Sequence, residues 1–254
     1  MSKSDEDRAA WRPSTMPGIG AELTPAQELA CALRVLARLG FSENIAGHIT
    51  WDPEADGTML VNPWGKWWDE VSGSDICRVD SDANVIEGRW DVTPAIHIHT
   101  ELHRRRRDAR VVVHNHPYYV TLLAAVGMIP EALNQTGSMY LDDLGFVSEY
   151  GGEIDDPVLG SELADQIGDK SVVILANHGL IVTAPTLQEA VYRSASFERM
   201  CRLHYDVKVL GVEPTRIAEH VQKSMKQSLL GRGSELYWNG AVRRLIREEP
   251  DVLD

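Results

Sequence analysis

Two short apolar runs that each lead straight into histidine constrain this chain more than any other feature. Val111-Val112-Val113 runs into His114-Asn115-His116-Pro117, and Val172-Val173-Ile174-Leu175-Ala176 runs into Asn177-His178-Gly179. Runs of this length and composition fit buried strands and are far too short to cross a bilayer. Side chains at i and i+2 of a strand share a face, so His114 and His116 emerge together. A lone His-x-His is weak, since strand-end histidines also serve as backbone hydrogen-bonding groups. The pairing adds weight: two apolar strands ending side by side bring three imidazoles together, and neutral imidazoles readily share a divalent metal.

The remaining pattern is mixed. Thr24-Pro25-Ala26-Gln27 reads as a capped helix start, continued by Leu29, Leu33, Leu36 and Ala37 and stopped by Gly40. His48–Trp51, Thr58–Val61, Ile76–Asp80 and Asn84–Glu87 read as strands joined by polar turns. Thr93-Pro94 opens a helix to about Arg106. Tyr118–Val126 and Leu159–Ile167 read as helices, Ile181–Thr183 as a strand, and Thr186–Leu210 as a long helix capped by Thr186. Residues 131–152 look irregular. A weaker helical pattern fills Pro214–Leu230 and a polar tail follows. Without a βαβ rhythm and with adjacent hairpins, the expectation is a mixed or antiparallel sheet covered by helices.

Several classes are disfavoured. The net charge of −13 among 254 residues suits an acidic, soluble chain and disfavours nucleic acid. Arg104–Arg107 is expected to be a solvated helix end. Cys31, Cys77 and Cys201 form no CxxC pair and read as reduced, buried thiols. No apolar signal-type stretch opens the chain, and the expected location is cytoplasmic, with no membrane partner.

His114-Asn115-His116-Pro117 and Ala176-Asn177-His178-Gly179 resemble motifs of the class II aldolase/adducin family. The segment His99–Arg106 with Asp108-Ala109-Arg110 looks like that family's helix before its metal-binding strand. Gly47-His48-Ile49-Thr50 is similar to its early Gly-[Asn/His]-[Val/Ile]-Ser turn, and Leu60-Val61-Asn62-Pro63-Trp64-Gly65 to its Thr-Pro-Ser-Gly loop. The resemblance spans roughly Ala26 to Gly211. It implies an α/β fold, a three-layer α/β/α sandwich with a central mixed, largely antiparallel sheet. It divides the chain into a flexible tail (1–20), a family-like domain (21–212) and a C-terminal helical extension (213–254). It also implies one divalent metal ion per chain on His114, His116 and His178, with zinc first and iron or manganese as alternatives. A homotetramer with active sites at subunit interfaces, acting on a small molecule, completes the expectation.

The sequence departs from that family at telling positions. The glutamate that serves aldolases as acid/base falls on Ala95, which cannot transfer a proton. The phosphate-cradling positions read His48, Asn62-Pro63-Trp64-Gly65 and Thr93-Pro94; proline removes an N–H donor and an indole adds an apolar face. His48, Asn62, Trp64, Thr93 and Ala95 are therefore expected to line a pocket for a non-phosphorylated substrate. His99, four residues after Ala95, is a candidate base, against the simpler reading of a structural histidine. Tyr140 is a candidate acid, with Tyr237 as a second. The expected activity is that of a metal-dependent carbon–carbon lyase on a hydroxy-carbonyl or carboxylate compound. Decarboxylation of an aromatic or hydroxy acid is the first alternative, iron-dependent oxygenation another, and a non-catalytic adducin-like module the rival from outside enzymology.

Overall fold

The computed structural model describes residues 13–149 and 151–254. Part of the tail expected over 1–20 therefore lies outside the described residues, and 13–20 carry no helix or strand. Helix α1 (Pro25–Leu36) starts on the expected capping box, Thr24 and Gln27 bonding each other's backbone. It ends through a wider turn in which Gly40 takes a φ of +86°, a left-handed conformation suited to glycine.

Eight strands form one sheet: β1 (His48–Trp51), β2 (Met59–Val61), β3 (Cys77–Val79), β4 (Val85–Glu87), β5 (Val111–Asn115), β6 (Leu144–Val147), β7 (Val172–Leu175) and β8 (Gly179–Ala184). Their spatial order is β4-β3-β2-β1-β5-β8-β7-β6. All neighbours are antiparallel except β6 and β7. The expected mixed, largely antiparallel sheet is thus observed.

Alternation along the central strands builds the two outer layers. Val111, Val113, Val172, Ile174, Leu180 and Val182 face the larger core, shared with α1, α5 (Leu187–Leu210) and α6 (Glu219–Glu248). Between β5 and β6 runs α3 (Tyr118–Ala125), whose Val120 and Leu123 join that core. Val112, Val173, Leu175 and Ile181 face the opposite core, closed by α2 (His97–Arg105) and α4 (Pro157–Ile167).

Three expectations change. The helix expected from Thr93 is broken into a 3₁₀ turn, Pro94–Ile96, followed by α2. Ala95 at φ −76°, ψ 17° departs from helical geometry, so it and His99 do not share one helical face as predicted. The stretch read as irregular contains β6, whose Leu144 to Val147 pair in parallel with Val172 to Leu175. The presumed polar tail is the second half of α6, and its buried Trp238, Val242 and Leu245 belong to the main core. The segment is therefore not an appendage to the domain.

The arginine cluster ends α2 as predicted, and it also ties two elements together. Arg105 pairs with Asp165 and Ser161 of α4, and Arg106 donates to the Lys170 carbonyl at 2.6 Å. All three cysteines are buried free thiols. Among the described residues no helix is long and apolar enough to cross a membrane.

Candidate metal centre

The register of the β1–β5 ladder sets the site. His48 lies opposite His114, and Thr50 opposite Val112. All four side chains share the face that carries α2, so a histidine near the end of an apolar strand meets the first residue of its neighbour. Entry into β1 depends on Gly47, whose φ is +94°. A Cβ there would come within 2.4 Å of Asn115 Nδ2 and 2.9 Å of Trp68. The Gly47 carbonyl accepts from Trp68 Nε1 (3.1 Å) and Asn62 Nδ2 (3.4 Å), while Asn62 Oδ1 accepts from the Ile49 N–H (2.9 Å).

His178 arrives from the turn between β7 and β8. There Asn177, with φ +53°, carries the left-handed conformation. The role of Gly179 is close approach: a Cβ would fall 2.5 Å from the Asn115 carbonyl oxygen and 2.6 Å from His116.

Ligating atoms of His114, His116 and His178 all lie within 4.8 Å of one another. Their ring centroids are 4.7 to 5.1 Å apart. His114 Nδ1 donates to the Leu180 carbonyl (3.1 Å), and His116 Nδ1 faces Glu43 Oε2 (2.6 Å). Both acceptors draw the ring proton to Nδ1, which leaves Nε2 as a bare lone pair on each ring. Those two Nε2 atoms sit 3.3 Å apart with no proton to share. Two lone pairs held face to face are repulsive unless a cation lies between them. A carboxylate or carbonyl orienting the outer nitrogen is the usual support of a metal-bound histidine. The donor set therefore fits a divalent ion. Burial holds His114 neutral, with neighbouring His48, His178 and His116 adding to the effect. Burial, and then His116, brings His178 down to about 4 against the opposing pull of Glu43.

Next to this cluster the His48 ring stands 4.9 Å from His114, with its Nδ1 2.5 Å from His99 Nε2. His99 is fully buried, and its Nδ1 lies 2.7 Å from Thr50 Oγ1. With both nitrogens engaged and no exposure, His99 cannot reach a substrate, so the expectation that it replaces the missing glutamate directly is withdrawn. His48 lies between it and the cluster.

The other expected residues separate into groups. Asn62 and Thr93 are buried and structurally committed, Asn62 to the Gly47–Ile49 backbone and Thr93 as acceptor for the Ala95 N–H (3.2 Å). Ala95 is half-buried against the α2–α4 core, and Trp64 is 46% exposed. Tyr140 is placed elsewhere. It is buried in the core on the opposite face of the sheet, stacks edge-on with Phe197, and donates to the Arg193 carbonyl at 2.6 Å. Its role as an acid at the cluster is withdrawn, as is that of Tyr237, which packs with Tyr192 in the same core. Glu43 was not anticipated. It sits in a loop closed by a single bridge to Ala46, and nothing in Ser42-Glu43-Asn44 distinguishes it from a surface carboxylate.

The sequence pattern described as the Class II Aldolase and Adducin N-terminal domain matches residues 27–205. Decarboxylase NovR of Streptomyces niveus is 30% identical over 212 residues, covering 81% of this chain and 78% of its own. The 3,4-dihydroxyphthalate decarboxylase of Arthrobacter keyseri is 30% identical over 213 residues, covering 79% and 83%. Among solved structures, an aldolase II superfamily protein from Pseudomonas syringae superposes with a TM-score of 0.80 at 27% identity, over 91% of this chain and 98% of that one.

Proposed function

Because the chain belongs to the class II aldolase and adducin family, we propose that it is a metal-dependent carbon–carbon lyase, specifically a decarboxylase of a small hydroxylated, non-phosphorylated acid. The observation that carries this reading is the cluster itself, where three imidazoles converge, two of them with the outer nitrogen tied back. By resemblance, Ala95 stands where aldolases keep their acid/base. Aldol cleavage needs a group that moves a proton on and off a hydroxyl, and loss of such a group commonly costs a factor of about a hundred or more. Loss of CO2 needs mainly a place for the electron pair left on carbon, so an alanine hurts it less. Two relatives at 30% identity carry decarboxylase names, which supports the same branch.

When bound, the divalent ion would supply a Lewis acid beside the substrate's oxygens. His114, His116 and His178 would hold it through Nε2 lone pairs at two or more positions, and as neutral ligands they leave its charge undiminished. Glu43 and the Leu180 carbonyl keep two of those rings oriented. In this reading His48, packed against His114, binds the substrate next to the ion, and exposed Trp64 serves as an apolar wall. In the reaction the bond to the carboxylate breaks, CO2 departs, the pair remains on the substrate carbon, and a proton replaces the lost group there. By family likeness the working form is a homotetramer, with part of each pocket supplied by a neighbour.

Protein loaded in turn with zinc, manganese and ferrous iron would be incubated with hydroxylated aromatic carboxylates, hydroxy acids and a ketose 1-phosphate. CO2 release from an acid is expected, with little or no cleavage of the phosphorylated ketose. Ordinary enzymatic rates on the ketose phosphate, with no CO2 from any acid, would overturn the proposal.

A further inference from the structure

Helix α3 stands between the two segments that carry His116 and His178. Its N-terminus follows His116 with only Pro117 between them. At its other end the Ala124 carbonyl accepts the Asn177 N–H at 3.3 Å, and Asn177 is the residue before His178. One helix thus ties the backbone of one cluster histidine to that of another. Rigid elements of this kind transmit displacement, so the placement of α3 sets the spacing of the two rings.

α3 has no cap of its own. Pro117 occupies the N-cap position and has no side-chain acceptor to offer, so the first-turn N–H groups need a partner from elsewhere. Glu198 of α5 supplies it. The Tyr119 N–H donates to Glu198 Oε1 at 2.9 Å, and the Val120 N–H donates to Oε2 at 3.0 Å. The carboxylate also faces the positive end of the helix dipole. Arg202 and Tyr205, spaced to share a face of α5 with Glu198, hold the same point of α3. The Arg202 guanidinium lies over the Tyr119 ring, 5.6 Å from its centroid, and the Tyr205 ring centroid is 5.8 Å from it. Glu198 borders a cavity of about 330 Å³ that Phe41 and Arg199 also line, so an amide of the same shape fits in its place.

We propose that Glu198 is a positioning residue of the metal centre: by capping α3 it fixes the spacing of His116 and His178 for the ion, although its own bonds go only to the α3 backbone. The inference rests on metal ligation by the three histidines, as proposed above, and not on the reaction. A glutamine at position 198 accepts one of the two N–H bonds, but its NH2 group then points a donor at the other N–H. The end of α3 beside His116 loosens, and ordering it again draws on the free energy of metal binding.

Full-length wild-type protein and Glu198→Gln would be compared by chelator competition for zinc and by the visible absorption of their cobalt-loaded forms. Glu198→Gln is expected to bind zinc about fivefold or more weaker and to shift the cobalt bands, with no ligand removed. Leu245→Ala weakens the core but leaves α3 and its cap in place, so its folded form should keep wild-type affinity. Unchanged affinity in folded Glu198→Gln, or cobalt bands that do not shift, would overturn the proposal. An equal loss of affinity in Leu245→Ala would overturn it too, by reducing Glu198 to a general support of the fold. Should Glu198→Gln not fold, Glu198→Asp, whose carboxylate is drawn back by one methylene, is read the same way. A metal-free readout separates this inference from the function it rests on. In metal-free protein the substitution should move the backbone ¹⁵N–¹H signals of Asn177 and His178, because α3 carries the change to the Ala124 carbonyl. Wild-type protein that takes up no metal overturns the metal reading and this one with it. Wild-type protein that binds zinc, with the Asn177 and His178 signals unmoved in the variant, overturns this inference alone.

Discussion

Glu43 and His116 illustrate how one exposed carboxylate can orient a ring of the candidate metal cluster. Glu43 Oε2 accepts the His116 Nδ1 proton at 2.6 Å and so turns Nε2 toward His114 and His178. Outer partners of this kind are commonly worth a factor of 10–100 in metal affinity. Glu43→Gln is therefore expected to weaken zinc binding by about that factor in a chelator competition, while His116→Ala, which deletes a ligand, should reduce bound metal to background. Unchanged affinity in Glu43→Gln would mean that His116 does not use Nε2. At this scale the sequence was informative in proportion to how local the signal is. His114, His116 and His178 are legible because each sits at the end of an apolar strand. Glu43 is not legible, since its partner lies 73 positions away in a loop of ordinary composition. His99 was located on the right helix but assigned contact with substrate, because only the β1–β5 register reveals that His48 stands in front of it.

The elements whose mates are nearby in sequence, or whose caps are strong, matched expectation: α1, α5 and the central hairpin of β7 and β8. Those that rely on tertiary partners did not. β6 is four residues containing a glycine, and its pairing with β7 spans the whole of α4; no local pattern marks it. α6 is interrupted by glycines that weaken helix propensity, yet Gly233 has a packing reason. A Cβ there would fall 3.0 Å from the Tyr192 ring, so glycine lets α6 cross α5 closely. The helix is then held by burial of Trp238, Val242 and Leu245, which outweighs propensity. Leu245→Ala is expected to cost about 2–5 kcal/mol, measured by urea denaturation. A loss below about 1 kcal/mol would show that the second half of α6 behaves as the separate extension first expected from the sequence. Gly179→Ala belongs to this scale too. The added methyl meets backbone at 2.5 Å, so β8 must shift from β5, and metal affinity should fall without any ligand being removed.

Taken as one molecule, the chain collects five histidines whose protonation is opposed by burial around the same cleft. His48, His99 and His114 are held well below the ordinary value, and His103 and His178 at about 4. In the unfolded chain each would titrate near pH 6.5. Below that pH the unfolded state binds protons that the folded state refuses, so each group's contribution is fully present above about pH 6.5 and is lost as pH falls through the window toward its folded value. The loss is about 1.4 kcal/mol per pH unit for each group within its window. Buried carboxylates follow another schedule. Burial tends to raise Asp75, but bonds from Lys66, the Ser72 N–H, Arg89 and Trp90 outweigh it and hold the carboxyl well below its usual range. Its contribution therefore persists until pH falls below about 4. Stability lost between pH 6.5 and 4.5 consequently reports on the histidines and not on this ion-pair network. Metal-free protein is expected to lose thermal stability steeply across that interval. Zinc-loaded protein should be more stable at each pH but lose stability with the same slope over the upper part, because His114 and His178 carry no proton in either folded form there. Melting curves of both forms at half-unit pH steps would check this. A metal-free protein equally stable at pH 6.5 and 4.5 would show that the cleft admits protons freely in the folded state, and the buried, neutral histidine array would have to be abandoned.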